Sequence, residues 1–448
     1  MSRTIIANIA DLGALFMYDE ERAVTWQQFF ANALELARAF PPGSHVVNLC
    51  EGRYGFTAGL VAALLAKRVT VLPGAAAGLE ACIEDTPASF VLVDPGKRFP
   101  CAMPVLEVSM PRIPPPADGV EVPSIDSEQV ACVVFSSGST GASTAHVKYW
   151  GELAQTGREI GERFGFAIGR QAVVGTVPSR HMFGLETTVL LPLQWGCTVY
   201  AGRPLLPADI DIATRRLEGE RWLMTTPIQL RALADDALCQ ARFEAVISAT
   251  MPLSAGLASQ VEVRYGAAVH EIFGCTEAGS LATRRTTESA RWEALTGITV
   301  EERAGRAWVH GGHVRQSTPL ADIVSIADPA HFDLLGRAAH LVKVGGKRTS
   351  LEALNSTLTQ IPGVEDGCFF VPEEPGDGGT RLVAFAVAPG VAAARLIAEL
   401  RERLDSVFIP RPLYVVQRLP RNDLGKLTRR DLAEMAERLS GADDAVPG

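Results

Sequence analysis

The sequence predicts an α/β protein: a large N-terminal domain of layered α/β subdomains with mostly parallel sheets, and a small α+β C-terminal domain. Three observations lead there. Short apolar runs alternate with longer segments at helical spacing over most of the chain, the pattern of strands joined by crossover helices. After about residue 340 the texture changes to short strands around two helices, a unit of roughly 110 residues and so the size of a separate domain. A chain of 448 residues with 47% hydrophobic content supplies a sizeable core, enough for roughly two or three domains.

Thr25-Trp26-Gln27-Gln28 reads as a capping box, in which the Thr hydroxyl accepts from the Gln28 backbone and the Gln28 side chain reaches back. Trp26, Phe29, Phe30, Ala33, Leu34 and Ala37 then follow helical spacing. A strand at His45–Leu49, a helix near Tyr54–Ala66 and strands at Thr70–Leu72 and Phe90–Asp94 come next. The alternation resumes with strands at Ala172–Val177 and Thr198–Tyr200 around a helix near Glu186–Gln194. It continues through a strand at Trp222–Thr225, a helix from Pro227, a strand at Ala245–Ser248 and a helix near Ala255–Tyr265. Proline-rich Pro111–Pro123 has no periodicity and reads as a linker or surface loop. Beyond residue 340, strands at Cys368–Val371, Arg381–Val387 and Tyr414–Gln417 surround helices near Leu351–Gln360 and Ala392–Leu404.

Composition excludes several classes. A formal charge of −9 argues against a surface built for nucleic acid. Eight cysteines, at positions 50, 82, 101, 132, 197, 239, 275 and 368, form no Cys-x-x-Cys pair. That spacing fits reduced thiols in a cytoplasmic protein rather than a disulfide framework or a zinc site. No signal-peptide pattern opens the chain and no apolar stretch is long enough for a bilayer, so no stable membrane association is expected.

The apolar run Val130–Phe135 ends abruptly in Ser136-Ser137-Gly138-Ser139-Thr140-Gly141. Such an ending offers backbone N–H and hydroxyl groups to a phosphate, and glycines let the backbone come close. Taken alone, the segment fits a plain turn equally well. It is not a Walker loop, because Ala142, Ser143 and Thr144 follow Gly141 and no lysine appears before Lys148. Nor does a Gly-x-Gly-x-x-Gly open a helix here.

Four further blocks follow in order. They are Pro178-Ser179-Arg180-His181-Met182-Phe183-Gly184; Ile272-Phe273-Gly274-Cys275-Thr276-Glu277; Asp322 with Gly336-Arg337 and Val342-Lys343-Val344-Gly345-Gly346; and Leu419-Pro420-Arg421-Asn422-Asp423-Leu424-Gly425-Lys426. In this order, from about residue 8 to residue 433, they resemble the adenylate-forming superfamily of acyl-CoA synthetases, adenylation domains and luciferases. The Ser-Gly-Ser-Thr-Gly loop with His146-Val147-Lys148-Tyr149-Trp150 is most similar to the aryl-acid ligases of aryl-polyene and xanthomonadin pigment clusters.

The resemblance implies an ATP-dependent ligase that joins a small carboxylic acid to AMP and passes the acyl group to a thiol. The thiol would be the phosphopantetheine of an acyl carrier protein or, alternatively, free CoA. It implies ATP and Mg2+ as cofactors. On this likeness Ser136 to Gly141 cradle the β and γ phosphates, Thr276 touches the α-phosphate, and Glu277 holds the metal. Phe273 stacks on adenine beside Gly274, and Asp322 with Arg337 serves the ribose. Lys426 bridges carboxylate and α-phosphate. His181, Phe183, Ser248, Ala249, Thr250, Met251 and Gly274 line the acid pocket, and Lys343, Gly345 and Gly346 line a thiol tunnel. The resemblance also implies the domains: residues 1–337 for adenylation, a hinge at 338–341, and a small mobile lid at 342–448.

Two departures stand out. Ser143-Thr144 occupies the place of the family's Pro-Lys, with Lys148 four residues further on as a candidate substitute, and Ala338-Ala339-His340 stands where a hinge aspartate is expected. They motivate a non-catalytic, adenylate-binding alternative, against which Thr276, Glu277 and Lys426 are intact. No aspartate follows Phe183 to pair a substrate ammonium, and burying one unpaired is costly. A neutral-bodied acid is therefore expected, with 3- or 4-hydroxybenzoate first and a medium-chain fatty acid as the alternative.

Overall fold

The computed structural model describes residues 2–73, 88–99, 103–112, 119–137, 143–337, 341–344, 347–372, 381–421 and 427–440. Its larger unit comprises Met1–Glu301, Trp308–Thr318 and Asp328–His331; its smaller unit comprises Glu302–Ala307, Pro319–Ala327 and Phe332–Gly448. Hinge candidates 338–340 lie outside the described residues, as does 113–118 of the proline-rich segment.

The first long helix, Trp26–Ala39, starts at the capping box. Gln28 N–H donates to Thr25 Oγ1 at 3.3 Å while Thr25 N–H donates to Gln28 Oε1 at 2.9 Å. Two orphan donors of the first turn are thereby satisfied. Trp26, Phe29, Phe30 and Ala33 face inward, and Trp26 stacks on Phe16 with ring centroids 3.7 Å apart. By contrast, the helix Arg53–Leu65 is buried almost all round, as expected of one enclosed in a core.

Two sheets organise the larger unit. In the first, Val130–Ser137, Val69–Leu72, His45–Asn48, Ala88–Val93 and Val105–Glu107 are parallel neighbours. Ser143–Tyr149 pairs antiparallel with Val130–Ser137, setting Lys148 opposite Cys132. In the second, Ala268–Cys275, Ala245–Ser248, Glu220–Thr225, Gln171–Gly175, Thr198–Tyr200 and Leu15–Tyr18 run parallel. Helices Pro227–Asp235 and Ala255–Tyr265 supply the crossovers that parallel neighbours require. Strands covered on both faces read as unbroken apolar runs, and Ala245–Ser248 is buried at every position.

Register decides where these strands end. Gly175 lies opposite Met224, Thr225 opposite Ser248, and Ser248 opposite Glu271. The segments that follow their carboxyl ends therefore emerge along one edge of the sheet. That edge is where open α/β sheets bind ligands.

Helix Trp150–Arg163 packs on the helical stretch Met182–Trp195, whose middle, Glu186–Leu190, is a π turn. The helices approach closely at Gly157, where a Cβ would sit 2.8 Å from the Leu190 backbone.

The smaller unit has its own apolar core around Leu354, Leu358, Phe369, Ala384 and Leu400. Asp366–Phe370 is antiparallel to Val383–Val387, which is parallel to Leu413–Val415. Helices Leu351–Thr359, Ala393–Arg403 and Arg429–Ser440 complete this unit. The fold is thus the mixed α/β arrangement expected, with a large and a small unit. Among the described residues no helix is long and apolar enough to cross a membrane.

Candidate active site

Three segments leave this sheet edge, two from the neighbouring strands Ala245–Ser248 and Ala268–Cys275 and one from Gln171–Gly175, with Glu220–Thr225 between. The strand Gln171–Gly175 runs on to His181 and Phe183, which are half-buried. Ala245–Ser248 runs on to Ala249, Thr250 and Met251. Ala268–Cys275 carries Phe273 and Gly274 and turns at Thr276 and Glu277 into the antiparallel strand Gly279–Arg285.

Two features mark the middle segment. Thr250 holds φ of 76°, in the left-handed region where a β-branched residue is strained. The Ser248 hydroxyl is fully buried and has no hydrogen-bond partner among the described residues. An unsatisfied buried polar atom is costly and asks for an explanation. The segment's exit is pinned by Glu271, whose carboxylate accepts from Leu253 N–H at 3.2 Å and from Arg284 Nε at 2.7 Å.

Phe273 is buried against Trp292, with ring centroids 5.6 Å apart, and the Arg284 guanidinium lies 4.4 Å from the Trp292 ring centre. A Cβ on Gly274 would stand 2.2 Å from the Gly279 carbonyl oxygen and 2.9 Å from Ser280 Cα. Only a glycine lets the two strands close here.

The turn beyond Gly274 is held from three sides. Lys148 Nζ donates to the Glu277 carbonyl at 2.7 Å and lies 3.7 Å from Glu152 Oε1. His313 bridges the Ala278 carbonyl (2.9 Å from Nε2) and Glu159 (2.6 Å from Nδ1). Glu186 accepts from Ser280 N–H at 3.2 Å and from the Ser280 hydroxyl. The Glu277 carboxylate itself is 42% exposed, and His146 Nε2 stands 3.7 Å from it. Burial pulls the His146 pKa down, against the opposing pull of Glu277.

Burial also holds the Glu186 carboxyl above its usual range, although Ser280, His313 and Lys148 pull the other way. The folded state therefore keeps a proton that the unfolded chain has already released. The stability this group contributes is full below its ordinary pKa of 4.5 and is lost as pH rises through the higher folded value. Urea unfolding of Glu186→Gln between pH 4 and 7 is expected to show a flatter pH dependence than the parent. An unchanged slope would contradict the assignment.

Sequence reasoning missed Arg53, which is 2% exposed. Its Nη2 donates to the Gly175 carbonyl at 2.8 Å, its Nη1 to Ser179 Oγ at 3.0 Å and to Thr188 Oγ1, and its Nε to the Tyr200 carbonyl at 3.3 Å. All four acceptors are neutral. Burial, with the charge of Arg203 adding to it, pulls the Arg53 pKa down to about 9. The guanidinium fork fixes one strand end, the Ser179 loop and the π turn relative to each other.

The remaining expected positions belong to other segments. Gly138, Ser139, Thr140, Gly141, Gly345, Gly346 and Lys426 lie outside the described residues. Ser136 and Ser137 end the strand Val130–Ser137. Asp322 begins the strand Asp322–Asp328, Arg337 ends His331–Arg337, and Lys343 sits in Leu341–Val344. Lys148, a candidate replacement for the missing phosphate-loop lysine, has its ammonium on the Glu277 carbonyl.

Among the described residues no group of three or more His, Cys, Asp or Glu side chains could hold a metal ion. One accessible carboxylate beside the Thr276 hydroxyl suits Mg2+ that arrives with phosphate oxygens, rather than a cage made by protein alone.

Comparison with known proteins matches residues 7–304 to the family described as AMP-binding enzyme and residues 353–426 to its C-terminal domain. A 4-coumarate–CoA ligase of Rhodobacter capsulatus is 29% identical over 289 residues, covering 62% of this chain and 69% of the ligase. An isonitrile lipopeptide synthase of Streptomyces coeruleorubidus is 32% identical over 154 residues, 34% of this chain, and the match spans only 10% of that much longer protein. The fold is that of the o-succinylbenzoate CoA synthetase of Bacillus subtilis, solved with ATP and magnesium: TM-score 0.78 at 19% identity, covering 93% of this chain and 96% of the other.

Proposed function

The chain belongs to the family of AMP-binding enzymes, within the adenylate-forming superfamily, and on that footing we propose that it is an AMP-forming acid–thiol ligase. In the first half-reaction a carboxylate oxygen attacks the α-phosphorus of ATP, and pyrophosphate leaves. In the second a thiol sulfur attacks the acyl carbon, AMP leaves, and the thiol proton passes to solvent. The observation that carries this reading is one sheet edge from which Ser248–Met251 and Gly274–Glu277 follow neighbouring strands, with the segment to His181 leaving the same edge two strands further along.

Within the reading, Ser136, Ser137, Gly138, Ser139, Thr140 and Gly141 receive the β and γ phosphates, and Thr276 the α-phosphate. Phe273 and Gly274 take the adenine, and Asp322 and Arg337 the ribose. Glu277 holds Mg2+, which supplies charge neutralisation at the phosphates. Lys426 brings a cation to the carboxylate and α-phosphate, where charge redistributes in the transition state. The lid of residues 342–448, turning at 338–341, then exchanges Lys426 for the thiol tunnel of Lys343, Gly345 and Gly346.

The acid we propose is aromatic, 3- or 4-hydroxybenzoate first. The unpartnered Ser248 hydroxyl and the strained Thr250 favour a ring that carries a hydrogen-bonding group. Alignment with a ligase named for 4-coumarate points the same way and favours CoA as the acceptor. Transfer to an acyl carrier protein, in a cytoplasmic pigment pathway, is the second reading. It rests on the Ser136–Gly141 and His146–Trp150 segments.

Pyrophosphate exchange across benzoates, fatty acids and amino acids tests the first half-reaction. Hydroxybenzoates are expected to support it best, and a panel in which no aromatic acid does so would overturn the substrate assignment. Thioester formation with CoA and with a phosphopantetheinylated carrier then decides the acceptor.

A further inference from the structure

Lys148 is buried against the turn that carries Glu277. Its side chain is 6% exposed, and its ammonium meets the Glu277 carbonyl at 2.7 Å, closer than Glu152 at 3.7 Å. The ammonium is thus aimed at the turn, and Glu152 offsets its charge from behind. A lysine is rarely buried without such partners. It also satisfies a carbonyl that sits in the turn between two antiparallel strands, outside their ladder.

The strand that carries it matters as much. Ser143–Tyr149 is the return strand of the hairpin whose other arm, Val130–Ser137, leads into the Ser/Gly segment. Residues two apart on a strand share a face. His146 and Lys148 accordingly meet the same residue, one at its carboxylate and one at its carbonyl.

We infer that Lys148 is a positioning residue that sets the Glu277 carboxylate for the nucleotide-bound metal and links it rigidly to the phosphate-binding hairpin. The inference rests on the reading of Glu277 as metal-holding. The family's Pro-Lys is not replaced at the phosphates; a lysine further along the strand acts through the protein backbone instead. Partners of this kind are typically worth about 10- to 100-fold in metal affinity.

The test uses the full chain and Mn2+ as the probe. Binding of Mn2+·ATP is measured by calorimetry without any acid, and pyrophosphate exchange gives the Mg2+ half-saturation beside the KM for the acid. Lys148→Met is expected to weaken Mn2+·ATP binding and raise the Mg2+ half-saturation by about tenfold, with the acid KM within about twofold. Lys148→Arg, which keeps a donor, should recover most of the loss. In a Glu277→Gln background the Lys148→Met effect on metal should vanish, because the lysine acts through that carboxylate.

A merely structural lysine would raise acid KM and metal requirement together and would keep its effect in the Glu277→Gln background. Either result overturns the inference, as does unchanged metal binding in Lys148→Met. Should Lys148→Met not fold, Lys148→Leu puts the same question with another side chain that cannot donate, and the same outcomes decide it. If Glu277→Gln alone leaves Mn2+·ATP binding intact, the metal reading of Glu277 fails first, which separates the two failures.

Discussion

Gly274→Ala is expected to lose about 3 kcal/mol of stability, the upper end for overpacking a well-filled site. The added methyl would stand 2.2 Å from the Gly279 carbonyl oxygen and 2.9 Å from Ser280 Cα. Both are backbone atoms, so no rotamer change relieves the clash. The strands must separate, and Thr276 and Glu277 lie at the end that opens. A displacement of about 1 Å at reacting groups can lower a rate about a hundredfold. Pyrophosphate exchange should therefore fall by that order even where the variant remains folded. Urea unfolding and exchange on one preparation check both halves. An alanine variant with parental stability and rate would show that the hairpin tolerates separation.

Lys426→Ala is expected to reduce adenylation by about 10²- to 10³-fold, the range for removing one group that stabilises developing charge. The same variant should still transfer the acyl group from a supplied acyl-adenylate to a thiol. That division follows from the proposed exchange of lid faces, in which Lys426 serves only the first half-reaction. Single-turnover measurement of the two halves makes the test. Adenylation at the parental rate would remove the role given to this lysine, and equal loss in both halves would remove the division of labour.

Much of the larger unit was legible because parallel strands covered on both faces are written as apolar runs. Ala245–Ser248, Thr198–Tyr200 and Ala255–Tyr265 occur where the pattern puts them. The short strands between residues 290 and 340 were not legible. Val314–Pro319, for one, has a single buried residue and gives no period to read. Helix Trp150–Arg163 escaped for another reason: glycines at 151, 157 and 161 argue against a helix by propensity. The fold places them where a neighbouring backbone or the Trp195 ring leaves no room for a side chain.

At the site, the ordered motif blocks were legible and their support was not. Lys148 meets a residue 129 positions away, a contact decided by the joining of two sheets. Glu186 and His313 are lone polar residues with no spacing rule to flag them. Arg53 reads on paper as a surface cation at a helix start, yet it is buried among carbonyls and hydroxyls.

The three side chains on the 277–280 turn come from positions 148, 186 and 313, far apart along the polypeptide. None can drift on its own without orphaning a buried partner. In diverging descendants of this sequence, those positions should change as a set, and a lone non-conservative replacement at any of them should mark a lineage whose hold on the 277–280 turn has loosened.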